Sequence, residues 1–262
     1  MFQNAMFDMP INAVETENKY AGKYIYETKG RAREYRELAC NLYTGCDHEC
    51  IYCYAPNILQ RQRSDFYERV LPRGKILENI EKESKLYAAH GEKRQVLFCF
   101  ACDPYSHADV EYQLTRQAIK ICHRNRMDIC VLTKGGLRSL RDLDLFTPFD
   151  SYACTLTSLY DKVSLEWEPG AALPGERIDA LKEYNKAGIQ TWVSLEPVID
   201  PEWTFQIIKE THQFVDEFKV GKLNYHEKER DINWTQFGRD AVALLDKIGS
   251  KYYIKHDLRI LL

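Results

Sequence analysis

"NLYTGCDHECIYCYAP", residues 41–56, places three cysteines within eight positions, and no second cluster follows. Cys46, Cys50 and Cys53 have the spacing C-x3-C-x2-C, with Gly45 ahead of them for a tight turn. Structural zinc takes four ligands, typically as two separated pairs, and the sequence offers neither a second C-x2-C nor an H-x3-H pair. Zinc is therefore the weaker reading. A cubane iron–sulfur cluster normally takes four thiolates, so three leave one iron open to a ligand from outside the protein.

The rest of the chain sets bounds on that chemistry. Its 262 residues suit one large α/β domain, and 45% hydrophobic content suffices for a sizeable core. The apolar runs are short, the longest near "VLFCFAC", and fall below the roughly 20 residues of a membrane helix. No basic start or continuous apolar run marks "MFQNAMFDMPINAVETEN" as an export signal, so the expected location is the cytoplasm. Nine cysteines, at 40, 46, 50, 53, 99, 102, 122, 130 and 154, form an odd and one-sided set. They read as reduced thiols, not as a disulfide framework. Lys and Arg number 36 against 39 Asp and Glu, a net charge of −3. A duplex-binding domain usually carries a basic surplus, so duplex DNA is not an expected partner.

After a polar lead, β-branched and aromatic runs alternate with amphipathic ones. Strands are expected at 95–100, 127–133, 151–157, 190–196, 217–224 and 251–255, with one more leading into the cysteines. The clearest helix is "PGERIDALKEYNKAGI". Pro174 opens it, Ile178, Leu181 and Tyr184 recur at helical spacing, and Gly188 sits where a C-terminal cap belongs. Strand–helix alternation implies parallel strands with right-handed crossovers. Six or seven strands fall short of a closed eight-stranded barrel, so the expected fold is α/β, a partial (β/α)6-type open barrel. One domain spans 1–262: a lead segment at 1–38, the core at 39–225 and an extension at 226–262. Ligands of such folds gather at the carboxyl ends of strands, where "CDPYSH", "TKGG", "TSLYD", "EPVID" and "NYHEK" follow the cysteines.

The C-x3-C-x-Tyr-C motif resembles the cluster motif of the radical S-adenosylmethionine (SAM) superfamily. The resemblance implies a [4Fe-4S] cluster on Cys46, Cys50 and Cys53, with SAM chelating the open iron. It further implies a 5′-deoxyadenosyl radical that abstracts a substrate hydrogen, and an external electron donor of flavodoxin or ferredoxin type. From about residue 40 to 200 the chain is similar to the spore photoproduct lyase-like branch, through "CIYCYA", "CFACDPYS", "VLTKGG" and the long block "TSLYDKVSLEWEPGAALPGERIDALKEYNKAGIQTWVSLEPVI". Carried over, Cys102 falls on that branch's hydrogen-donor cysteine, and Tyr52 and Tyr54 on its radical-relay tyrosines. Packing roles are the alternative: Tyr52 beside the adenine of SAM, Tyr54 supporting the cluster loop, Cys102 in the core. Cys40, Cys99, Cys122, Cys130 and Cys154 read as core residues.

SAM brings a carboxylate, an ammonium and two ribose hydroxyls. Lys134 is expected at the carboxylate, Asp103 at the ammonium, and Thr155, Ser158 and Glu196 at ribose or substrate hydroxyls. Asn224, Tyr225, His226, Asp231 and Trp234 are candidates for contacting a base. Set against that lyase, which has a longer region before its cluster and a DNA-contacting hairpin toward its C-terminus, the chain is expected to lack the equipment for holding a lesion in duplex DNA. The expected activity is cleavage of a bond in a small nucleoside-like molecule, with queuosine-to-queuine cleavage as the candidate. The alternatives are DNA repair of the spore photoproduct type and a non-enzymatic zinc or iron–sulfur module.

Overall fold

The computed structural model describes residues 22–262. Its eight strands are β1 (Ile25–Glu27), β2 (Leu38–Cys40), β3 (Val96–Phe98), β4 (Ile129–Thr133), β5 (Ser151–Thr155), β6 (Gln190–Leu195), β7 (Glu217–Val220) and β8 (Lys251–Ile254). They form one sheet in chain order. β2 to β8 are parallel, and β1 runs antiparallel to β2. No pairing joins β1 to β8, so the sheet is an open, partial barrel. Its seven parallel strands are the upper end of the sequence expectation. Both flanking segments contribute to it, β1 from the lead and β8 from the extension.

The helices are α1 (Ala55–Ile58), α2 (Arg63–Glu68), α3 (Ile76–Ala89), α4 (His107–Tyr112), α5 (Leu114–Arg124), α6 (Asp161–Trp167), α7 (Pro174–Lys186), α8 (Pro201–Thr211), α9 (Trp234–Ile248) and α10 (His256–Arg259). α7 starts at the expected proline, and the Glu176 carboxylate accepts Leu173 N–H at 3.1 Å. The chain leaves it through Gly188, whose φ of 78° suits glycine. Its Leu181 and Tyr184 are wholly buried, each contributing roughly 1.5–3 kcal/mol by area. No helix among the described residues is long and apolar enough to cross a membrane.

Strand alternation divides the interior in two. One set of side chains, including Leu38, Val96, Ile129, Val131, Val193 and Phe218, joins the helices in the larger core. The other set points inside the barrel: Ala39, Leu97, Cys130, Ala153 and Trp192, packed by Tyr26, Tyr35, Phe100 and Leu132. Small residues at Ala39, Cys130 and Ala153 leave room for Trp192 and the tyrosines. Cys40, Cys99, Cys122, Cys130 and Cys154 are buried free thiols, as packing residues are.

Candidate active site

The loop from β2 to α1 carries Cys46, Cys50 and Cys53, and each of its turns is pinned by another element. Cys46 N–H donates to Phe66 O at 3.1 Å, and Ile51 N–H to Trp167 O at 3.0 Å. Asp47 accepts the first N–H groups of α4, from His107 at 3.2 Å and Ala108 at 3.1 Å. Gly170 of the Glu-Pro-Gly turn donates to His48 O at 3.0 Å. Two glycines permit this closeness. A Cβ on Gly45 would lie 2.3 Å from Phe66 O, and one on Gly170 would lie 2.0 Å from Asp47 O.

All three thiols are free, and burial raises each above the ordinary thiol range. For Cys50 the value reaches about 12, with Glu168 adding to burial and Lys134 opposing it. Among the described residues no three His, Cys, Asp or Glu side chains converge on one point as a single metal ion requires. A cubane makes no such demand, because each thiolate takes a different iron. The donor set of three thiols in one loop, with a cation in whose field they lie, fits a [4Fe-4S] cluster.

That cation is Lys134, just past β4. Burial works to lower its ammonium pKa, but Cys50, Glu168, Asp103 and Cys46 together hold it above the usual range. Lys134 also opposes the upward shift of Cys46 and Cys53, so it lies in the field of all three cysteines. Its Nζ makes no hydrogen bond or ion pair with another described residue.

Asp103 is 5% exposed, and its carboxylate joins the ends of β3 and β4. It accepts Tyr105 N–H at 2.8 Å, Thr133 Oγ1–H at 2.6 Å and Lys134 N–H at 2.8 Å. His48 Nδ1 stands 3.4 Å from the same carboxylate. Burial drives His48 down to about 3; Asp103 opposes this, and Lys134, Arg138 and Arg177 reinforce it. The imidazole is therefore neutral, and Arg138 at 3.1 Å from Nε2 makes that nitrogen the acceptor. Burial pushes the Asp103 carboxyl up, and His48, Lys134 and hydrogen bonds from Thr133 and Lys134 pull it below the usual range. With His48 neutral, Lys134 and the hydrogen bonds carry that lowering. Asp103 thus spends its acceptors on the fold around Lys134.

Beneath the loop lies a buried ion pair that sequence reading misses. Glu168 and Arg177 are each 1% exposed, with Arg177 Nη1 2.6 Å from Glu168 Oε2. Tyr52 Oη–H donates to Glu168 Oε1. Arg177 also donates to Ala172 O at 2.7 Å, Thr155 O at 3.0 Å and Ser164 Oγ at 3.2 Å. The pair thereby connects the cluster loop, the end of β5, α6 and α7. Glu168 stands in the Glu-Pro-Gly block, and Arg177 lies four and seven residues before Leu181 and Tyr184 on the buried face of α7.

A second group lines the inside of the barrel beside Cys53. Tyr54 packs 6.0 Å from Phe100, which packs 5.5 Å from Tyr35. Glu196, after β6, accepts Tyr35 Oη–H at 2.6 Å and pairs with Lys255, which follows β8. Lys255 Nζ sits 3.4 Å from the centre of the Tyr35 ring. Burial lowers the Lys255 pKa against the opposing pull of Glu196. Burial likewise raises the Tyr54 pKa, with Cys53, Glu196 and Tyr26 adding to it. Asn41 orients the neighbouring turn: its Oδ1 accepts Phe100 N–H at 2.8 Å and Ala101 N–H at 2.7 Å, and its Nδ2 donates to Tyr26 Oη at 2.9 Å. Cys102, at the end of this turn, is half-buried and lies by the Cys99 thiol.

The remaining candidates scatter. Thr155 and Ser158 are buried, and Ser158 Oγ accepts Tyr160 N–H at 2.9 Å within its own turn. Trp234 is a core residue whose indole N–H donates to Glu229 O at 2.9 Å. His226 lies against Trp167, 4.8 Å between ring centres, while Tyr225 is 95% exposed at a φ of 62°. Asp231 lines a cavity of about 420 Å³ between α8 and α9, whose lining includes none of the cysteines.

Comparison with known proteins agrees with this geometry. The family model "Radical SAM superfamily" matches residues 40–215. An uncharacterized protein of Methanocaldococcus jannaschii, MJ0683, is 28% identical over 210 residues, covering 78% of this chain and 76% of its own. An uncharacterized protein of Acidianus two-tailed virus, ORF301, is 24% identical over 188 residues, covering 68% of this chain and 61% of its own. Among solved structures, spore photoproduct lyase complexed with dinucleoside spore photoproduct has a TM-score of 0.68 at 15% identity, over 92% of this chain and 80% of that one. Streptococcus suis SuiB bound to S-adenosylmethionine has a TM-score of 0.62 at 12% identity, over 83% of this chain. The chain spans about half the length of SuiB. With the family model covering well over half its length, a cysteine loop at the carboxyl end of its first parallel strand and an open parallel barrel, this chain belongs to the radical SAM superfamily.

Proposed function

We propose that Cys46, Cys50 and Cys53 hold the [4Fe-4S] cluster, that Lys134 receives the SAM carboxylate, and that this radical SAM enzyme cleaves a bond in a small nucleoside-like molecule. Cleavage of queuosine to queuine is the candidate reaction, in a cytoplasmic setting that suits nine free thiols. When bound and reduced, the two cofactors supply a 5′-deoxyadenosyl radical that takes a hydrogen atom from the substrate.

The observation that carries the substrate class is the inward wall beside Cys53. Tyr26, Tyr35, Tyr54 and Phe100 give aromatic faces, and the Glu196–Lys255 pair gives both an acceptor and a donor. A free nucleoside needs an aromatic surface and a few placed polar groups. Duplex DNA draws most of its affinity from phosphate neutralisation, and a chain with three more acidic than basic residues is poorly equipped for that. Lys134 fits the carboxylate role because it lies in the field of all three cysteines and its ammonium makes no hydrogen bond or ion pair with another described residue. Asp103 is the candidate for the SAM ammonium, Thr155, Ser158 and Glu196 are the candidates for ribose or substrate hydroxyls, and Cys102 is a candidate hydrogen donor.

Anaerobic reconstitution followed by assay of 5′-deoxyadenosine with a panel of modified nucleosides tests the reading. Queuosine is expected to raise turnover and release its base. Alanine at all three cysteines is expected to abolish the cluster's absorbance and SAM cleavage. Lys134→Ala removes a charge-assisted hydrogen bond of about 1.5–3 kcal/mol and is expected to weaken SAM binding about tenfold or more. Tight, salt-sensitive binding and repair of thymine-dimer DNA would replace this substrate class with the lesion.

A further inference from the structure

The cluster loop and the short helix after it carry exposed apolar side chains that join neither core cluster. Ile51 is 43% exposed, Ile58 70% and Leu59 45%. They flank Cys53, and Arg63 ties the surface to it: its guanidinium donates to Cys53 O at 2.8 Å and to Tyr67 Oη at 2.7 Å. Arg69, six residues on and just past the end of α2, is 71% exposed at its side chain and reaches Asp65 at 3.4 Å. Residues 51–75 carry five Arg and Lys against two carboxylates, within a chain whose net charge is −3. Isolated exposed apolar residues are ordinary. Three of them beside one cysteine of the loop, rimmed by arginines on an otherwise acidic protein, form a patch of defined character.

We propose that this patch, Ile51, Ile58 and Leu59 with Arg63 and Arg69, docks a small acidic one-electron carrier of ferredoxin or flavodoxin type. The inference rests on the assignment of Cys46, Cys50 and Cys53 to the cluster and is independent of the substrate. The enzyme needs one electron delivered to the cluster for each SAM cleaved reductively. Delivery is fastest where the surface lies nearest the cluster, and the barrel side is reserved for SAM and substrate. At this patch the main-chain carbonyl of Cys53 already contacts an exposed arginine. The complementary carrier is negatively charged with an apolar centre around its redox group, since rim charges steer encounter and an apolar core fixes the contact. The step is balanced: the reduced carrier loses one electron, the cluster gains one, and no bond or proton moves.

The test uses the reconstituted full chain and two probes, an acidic plant-type [2Fe-2S] ferredoxin and a flavodoxin. The triple variant Ile58→Glu/Leu59→Glu/Arg69→Glu changes exposed side chains that touch no thiol. Wild-type protein is expected to bind at least one probe with an affinity that falls as salt rises. The variant is expected to bind about tenfold more weakly or worse, and its cluster to be reduced correspondingly more slowly by that carrier. Iron content, dithionite reduction of the cluster and dithionite-driven SAM cleavage are expected to match wild type, which separates failure of docking from failure of the cluster assignment. Binding to neither probe, binding insensitive to salt, or a variant that accepts electrons from the carrier at the wild-type rate would each overturn the proposal.

Discussion

Replacing Glu168 by Gln is the sharpest test of how the cluster loop is held. The substitution keeps size and hydrogen-bonding capacity but removes the charge that faces Arg177 across 2.6 Å. Breaking a buried pair from one side costs about 3–5 kcal/mol, because the survivor is left as an uncompensated buried charge. Arg177 keeps three acceptors, Ala172 O, Thr155 O and Ser164 Oγ, which places the expected loss near the lower end, about 3 kcal/mol. That is a large share of the roughly 5–15 kcal/mol by which domains are stable. Urea unfolding of the metal-free protein reads it as a lowered midpoint at unchanged slope. A single Gln variant within about 0.5 kcal/mol of wild type, the range typical of surface substitutions, would refute the reasoning.

Three further predictions concern other parts of the framework. Gly170→Ala sets a methyl 2.0 Å from Asp47 O and is expected to displace the cluster loop, lowering iron and sulfide content after reconstitution. Gly175→Ala, with open space at its Cβ, is the control and is expected to stabilise by up to about 1 kcal/mol. Asn41→Ala strips the acceptor from two backbone N–H groups and is expected to cost about 1–3 kcal/mol, seen as faster amide exchange at Phe100 and Ala101. Burial lowers Lys219 from 10.5 to about 8. The unfolded chain therefore binds the extra proton between those values, and stability contributed by this group rises with pH across that window. At roughly 1.36 kcal/mol per pH unit the rise is about 3 kcal/mol at most, and Lys219→Met is expected to remove it from the pH dependence of the urea midpoint.

Strands β3 to β8 were legible because each is a short β-branched or aromatic run ending in a polar turn, and α7 because proline and glycine mark its ends. Strand β1 was not, since Ile25–Glu27 is three residues long and takes its place only through pairing with β2. The cysteine spacing exposed the cluster loop, and the Thr-Lys turn exposed Lys134. Arg177 was hidden although it shares the buried face of α7, because the sequence does not say that Glu168 meets it there. Lys255 was hidden for a related reason: its partner Glu196 lies 59 residues earlier and meets it only when β8 joins the sheet. Asp103 and Ser158 stand past strand ends, where ligand contacts gather. Polar groups there also satisfy the turns themselves, as both side chains do.

The Glu196–Lys255 contact has a consequence for biosynthesis. The three cysteines leave the ribosome about two hundred residues before Lys255, and at about 5–20 residues per second that is a wait on the order of ten to forty seconds. Glu168 and Arg177, which brace the loop from below, arrive a little over halfway through it. The thiols are thus displayed on a nascent chain before either their clamp or the far wall of the chamber exists. Metal acquisition by this protein is for that interval a problem of timing, in which iron–sulfur delivery after release competes with oxidation and stray thiophilic metals during translation.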